Sequence, residues 1–140
     1  MSLKPSCLIK VPSSVDDGTF FHWWIRFLTP FHALTEREMD VAAALFHRRF
    51  ELSKTVTDPV LLDRLVLDTD SRAVIESRLG LKHGYMNVIL TKLRKSGIVL
   101  EDRLNPKFIP DIKSGESNSA FSVLLFFDFS HAKRNKEKVK

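Results

Sequence analysis

Five histidines, one cysteine and a few adjacent carboxylates are the residues of this 140-residue chain with the types for acid–base, nucleophilic or metal chemistry. Their spacing assembles none of the usual sites. His22, His32, His47, His83 and His131 include no pair four residues apart with a glutamate between, the arrangement by which one helix face holds zinc. Cys7 has no second cysteine, so neither a Cys-rich metal site nor an intramolecular disulfide can form, and a reducing compartment is expected. Only Lys4 and Lys10 stand near it to stabilise a thiolate, which is thin support for a nucleophile. Gly80 and Gly84 are the only close glycines, too few for a phosphate-cradling loop. Asp16-Asp17 and Glu101-Asp102 are better explained by a helix start and a small β-wing than by paired catalytic carboxylates. The chain is therefore read as non-enzymatic, with no metal and no cofactor.

The cationic residues are more informative. Lys and Arg total 22 against 17 Asp and Glu, a net charge of +5, and the excess is concentrated. Residues 70–97 carry six basic and two acidic side chains, and residues 132–140 carry five and one, so each piece is +4 while the rest of the chain is −3. Such a distribution suits attraction to a polyanion, nucleic acid first, although a basic tail alone also serves solubility. With 44% hydrophobic and 28% charged residues the composition is that of one globular domain. No apolar run approaches membrane-spanning length and residues 1–14 lack a signal-peptide core, so a soluble, cytoplasmic protein is expected.

Several elements must position these charges. Residues 7–11, between Pro5 and Pro12, read as a short edge strand. After the start signal Asp16-Asp17-Gly18-Thr19, Phe20, Trp23, Trp24, Phe27 and Leu28 recur at helical spacing until Pro30, an aromatic helix packed on the core. Thr35 and Glu38 make a capping box with Leu34 and Met39 as staple, so a helix starts at Glu36 and runs to about Leu52. Its buried stripe is Met39, Ala42, Ala43, Phe46 and Phe50, leaving Arg37, Asp40, Arg48, Arg49 and Glu51 largely toward water. Asp58-Pro59 caps a short helix over 60–66, and Asp68, Asp70 and Ser71 offer the next start.

Across residues 70–97, Ile75, Leu79, Leu81, Met86, Ile89 and Leu93 share one apolar core if one helix ends at Leu79, the chain turns through Gly80 to Lys82, and a second helix runs from about His83 to Ser96. Gly80 suits a backbone leaving the first helix with positive φ. Short strands over 98–100 and 107–109, joined by Arg103-Leu104-Asn105-Pro106, would make the wing. Residues 121–129 alternate with both faces apolar, a strand covered on both sides that pairs with residues 7–11 or forms a subunit interface.

Ile75-x-x-x-Leu79-Gly80-Leu81, the Met86, Ile89 and Leu93 face, and the exit Leu93-Arg94-Lys95-x-Gly97-Ile98-Val99 resemble the winged helix-turn-helix domains of transcription regulators. Glu76 stands where that family usually has Ala, and Lys82 where it has a Ser or Thr cap. The resemblance implies a mainly α fold with a small β component: an extension over 1–34, a winged-helix core over 35–112 and a C-terminal strand over 121–129. Together they form a single domain over 1–131, followed by a basic flexible tail over 132–140. It further implies a regulator that binds double-stranded DNA by placing the helix 83–96 in the major groove. By position on it, Lys82, His83, Gly84, Asn87, Val88 and Thr91 form the exposed set. Asn87 would pair with adenine, Lys82 and His83 would meet guanine or phosphate, and Gly84 would allow close approach. Arg72, Arg78, Lys92, Arg94 and Lys95 would contact phosphates, as would Arg103 and Lys107 from the wing. Oligomerisation, or contact with other protein subunits, would use the aromatic helix and the strand 121–129. The order of elements is also similar to small winged-helix proteins of bacteriophages, which implies as alternative a role in virion assembly or replication, with the winged helix as a protein-interaction module.

Overall fold

In a computed structural model, which describes residues 9–112, 121–125 and 127–130, the chain is mainly helical. Six helices follow in order: α1 Thr19–Phe27, α2 Thr29–His32, α3 Glu36–Ser53, α4 Pro59–Val66, α5 Thr69–Leu79 and α6 His83–Ser96. A 3₁₀ turn at Pro106–Phe108 comes after them. The local signals explain these boundaries. The Thr35 hydroxyl accepts from Glu38 N–H while the Glu38 carboxylate accepts from Thr35 N–H, the reciprocal box expected at the start of α3. Asp58 and Asp68 cap α4 and α5 through their carboxylates.

α3 is the hub. It packs against α1, α4, α5 and α6, and its Val41, Ala42, Leu45 and Phe46 are fully or almost fully buried. Phe21 and Ile25 of α1, Val66 of α4, Ile75 of α5, and Met86, Ile89, Leu90 and Leu93 of α6 close over that helix. Each large apolar side chain removed from water in this way contributes about 1.5–3 kcal/mol. Of the six residues expected to knit α5 to α6, Ile75, Met86, Ile89 and Leu93 are buried; Leu79 and Leu81 pack half-buried against the same cluster.

Four expectations are corrected. First, the face of α1 turned to the core is Phe21, Ile25 and then Leu28, whereas Trp23 and Phe27 are exposed. Phe20 and Trp24 pack half-buried at the edge of the core. Aromatics line nearly the whole helix, so size misleads where the i, i+4, i+7 set Phe21, Ile25, Leu28 identifies the buried side. Pro30 does not end helical structure but sits in the first turn of α2. His32 in α2 is buried, donating from Nε2 to the Ile25 carbonyl at 2.8 Å and accepting at Nδ1 from Leu34 N–H at 3.0 Å.

Second, the charged side of α3 is not left to water. Arg37 donates to the Leu79 carbonyl at 2.6 Å, Arg48 to the Ser71 hydroxyl at 3.2 Å, and Arg49 to Asp63 at 3.4 Å. Arg26 pairs with Asp40, and Arg78 with Glu51.

Third, no strand occurs among the described residues, and the expected strands over 98–100 and 107–109 reduce to one antiparallel bridge, Val99 to Leu104. The chain reverses at Glu101 and Asp102, where Leu100 N–H donates to the Arg103 carbonyl at 2.7 Å. Leu104 is buried beside Ile98 and Val99, which sets this register. Pro106 then lacks the N–H a ladder needs, and Asn105 caps the 3₁₀ turn by accepting from Lys107 N–H.

Fourth, residues 121–125 and 127–130 form no strand and are exposed rather than covered on both sides. Phe121 alone has ring contacts there, edge-on to Phe20 at 5.2 Å and to Trp24 at 5.7 Å. Residues 9–11 likewise form no strand. Cys7, His131, Phe126 and the tail 132–140 lie outside the described residues. No described helix is long and apolar enough to cross a membrane.

Candidate nucleic-acid interface

The geometry of α5 and α6 is fixed from beneath. Gly80 ends α5 with φ of 65°, and both its N–H and that of Leu81 reach back to the Glu76 carbonyl, a tight closure open to a residue without Cβ strain. Nothing lies within 4 Å of where a Cβ at Gly80 would stand, so backbone conformation rather than space selects glycine there. Arg37 from α3 takes the carbonyl just before that turn, so the hub helix clamps the α5–α6 angle. On the α4 side, Ser71 is buried, donating to the Leu65 carbonyl at 2.6 Å while accepting from Arg48. Gly97 closes α6 with φ of 86°, and its carbonyl accepts from the Asn105 amide at 2.9 Å, fastening the hairpin to the helix end.

With Met86, Ile89, Leu90 and Leu93 inward, the outward side of α6 follows from 3.6-residue periodicity. Gly84, Val88, Thr91 and Lys95 run along its crest. Asn87 and Arg94 stand on the flank toward α5, and Tyr85 and Lys92 on the other; all are exposed. α6 contains no Asp or Glu. Lys82 occupies the N-cap position and no side chain caps the helix start, so the partial positive end of the helix dipole adds to the cationic side chains. Lys82, Lys92, Arg94 and Lys95 have no ion-pair or hydrogen-bond partner among the described residues.

The remaining expected contacts divide. Arg72 donates from Nε to the Leu67 carbonyl at 3.2 Å and from Nη1 to Asn87 Oδ1 at 3.4 Å, which ties the Asn87 amide to α5. His83 Nδ1 lies 3.0 Å from Glu76 Oε2. Glu76 therefore partners the first residue of α6. Thr91 donates its hydroxyl proton to the Asn87 carbonyl at 3.0 Å, so that proton is already used. Arg78 is already paired: both its terminal nitrogens bond the Glu51 carboxylate at 3.1 Å. Burial raises the Glu51 carboxyl, but the Arg78 hydrogen bonds and the charges of His47, Arg78 and Arg48 outweigh it and hold the group below its ordinary value.

Arg103 is exposed just after the hairpin tip and, with Asp102, lines a groove against Val60, Asp63 and Arg64 of α4. Lys107 sits on the 3₁₀ turn, which is fastened to α1 through Trp24 donating to the Phe108 carbonyl at 2.8 Å. The expected wing contacts thus belong to two different places. The sequence reading overlooked Tyr85, although its spacing to Val88 and Lys92 puts it on the same outward side.

Among the described residues no group of three His, Cys, Asp or Glu could hold a metal ion. An open cleft of about 320 Å³ between α3 and residues 106–112 is lined by Phe46, Arg49, Phe50, Ile109 and Asp111 among others. The chain matches no family model, no curated protein and no solved structure.

Proposed function

We propose that this chain binds double-stranded DNA without catalysis, as a regulator of the winged helix-turn-helix kind, with α6 entering the major groove. The observation that carries this reading is that the cations of α6 and of its N-cap have no partner among the described residues. On a helix whose apolar side is fully used by the core, Lys82, Lys92, Arg94 and Lys95 face outward with no acidic residue among them. A phosphate backbone supplies the missing partners, and Asn87 lies within the same footprint to meet a base edge. The short hairpin over 98–105 would serve as a reduced wing, contributing at most Arg103.

The test is anisotropy of a labelled random-sequence duplex as salt is raised. Wild type would be compared with Lys92→Gln/Lys95→Gln and with a tail in which Lys133, Arg134, Lys136, Lys138 and Lys140 are replaced by Gln. The α6 double variant should lower the salt slope by about 2. Absence of binding at low salt removes the proposal. A slope that vanishes with the tail changes alone reduces it to nonspecific attraction.

The exposed aromatics support a second role, in oligomerisation or in phage virion assembly or replication. Trp23, Phe27 and Phe31 on α1 and α2, together with Val123, Leu124, Leu125, Phe127 and Phe129, are large apolar side chains left exposed.

A further inference from the structure

The crest of α6 is not made of the hydrogen-bonding residues that a purely polar reading helix would carry. Val88 is 52% exposed at its centre and Tyr85 47% exposed on the shoulder, although the same helix has a complete apolar side buried in the core. One turn further on, the Thr91 hydroxyl has given its proton to the Asn87 carbonyl, which leaves the residue a methyl and an acceptor oxygen to offer. The apolar stretch of the crest at Val88 and the Thr91 methyl, with Lys95 one turn on and Asn87 and Lys92 on its flanks, fits a polyanion whose groove floor carries exposed methyl groups. In the DNA major groove the thymine C5-methyl is that group.

Resting on the DNA-binding reading above, we infer that Val88, assisted by Thr91, is a specificity-determining residue that reads thymine C5-methyl groups beside the base met by Asn87. Val88 carries no donor or acceptor, so its contribution to discrimination is the burial of a methyl against a methyl. Removing one contacted C5-methyl should weaken binding roughly four-fold, the equivalent of one buried carbon.

The experiment uses the full chain. Duplexes enriched on it from a random-sequence pool are copied once with thymidine and once with deoxyuridine, so that the two sets share every sequence and differ only in the C5-methyls. Wild type should prefer the thymidine copies by roughly four-fold or more, whereas Val88→Ala should lose most of that preference with an unchanged salt slope. Ala is a strong helix former and the site is exposed, so the variant keeps the fold; circular dichroism verifies it. Equal binding of the two sets by wild type, or a thymidine preference undiminished in Val88→Ala, overturns the inference and leaves DNA binding standing. Val88→Ala changing only self-association, with the preference intact, overturns it in favour of a protein contact at the crest. Failure to retain any duplex at low salt removes the DNA-binding reading itself.

Discussion

α3 and α6 both bury an apolar inner side and carry cations on the outer one, mixed with carboxylates on α3 and without them on α6, yet their cations live differently. Arg37, Arg48 and Arg49 of α3 are half-buried and each is bound to an acceptor on another helix: a carbonyl of α5, a hydroxyl of α5 and a carboxylate of α4. Lys92, Arg94 and Lys95 of α6 bind nothing in the described protein. The first three hold helices in place, and only the second three can change partner without cost to the fold. Counting charge by segment therefore does not separate a cation that is internally neutralised, as at Arg78, from one left over for an outside partner. The same rule separates Arg72, anchored at Leu67 and Asn87, from Lys95, which has no anchor among the described residues.

The sharpest way to break the contrast is at adjacent positions on α6. Leu93→Ala empties a fully buried site against α3 and should cost about 2–5 kcal/mol of folding stability by denaturant titration. Lys92→Ala, one residue earlier and exposed, should change stability by less than about 0.5 kcal/mol. Comparable losses at the two positions would show that the outer side of α6 is engaged in holding the fold.

Much of this arrangement was legible in the residues. The Thr35 to Glu38 box, Asp58-Pro59, Asp68 and Gly80 act through contacts within a few positions, and the boundaries they imply for α3 to α6 match the structure closely. What escaped depends on distant partners. Nothing local distinguishes Arg78 from Arg72, because the discriminating atom is a carboxylate 27 positions away in α3. The hairpin register depends on Leu104 being buried with Ile98 and Val99 rather than on the turn chemistry of Asn105-Pro106. Along α1 a near-continuous aromatic surface gave no contrast for periodicity to act on. The alternation of residues 121–129 is a true sequence pattern, but alternation specifies a strand only where a neighbouring strand exists to pair with it.

A smaller effect tests whether Arg72 belongs with the paired or the unpaired cations. If its bond to Asn87 aims the amide at a base, Asn87→Ala and Arg72→Ala should each relax preference at the same single base pair by about 1–3 kcal/mol. The double variant should lose little more than either one, since both act on one contact. Full additivity, with Arg72→Ala weakening all sequences alike, would return Arg72 to the phosphate-contacting class.

The least effect is expected from acid, and it separates the two helices by pH. Glu51 is held below its ordinary value of 4.5 in the folded protein, so the unfolded chain takes up its proton first. The stabilisation is complete above the unfolded value and is lost as pH falls through the lower, folded one. Stability should therefore decline as pH drops from about 5 toward the folded value, and Arg78→Gln should flatten that limb by removing the main group that depresses Glu51. α6 contains no carboxylate, so Lys92→Gln/Lys95→Gln should leave the same limb unchanged. Thermal denaturation of the three proteins across that pH range gives the comparison, and an acid limb equally steep in Arg78→Gln would assign the loss to other carboxylates, such as Asp17 with its hydrogen bonds from Thr19.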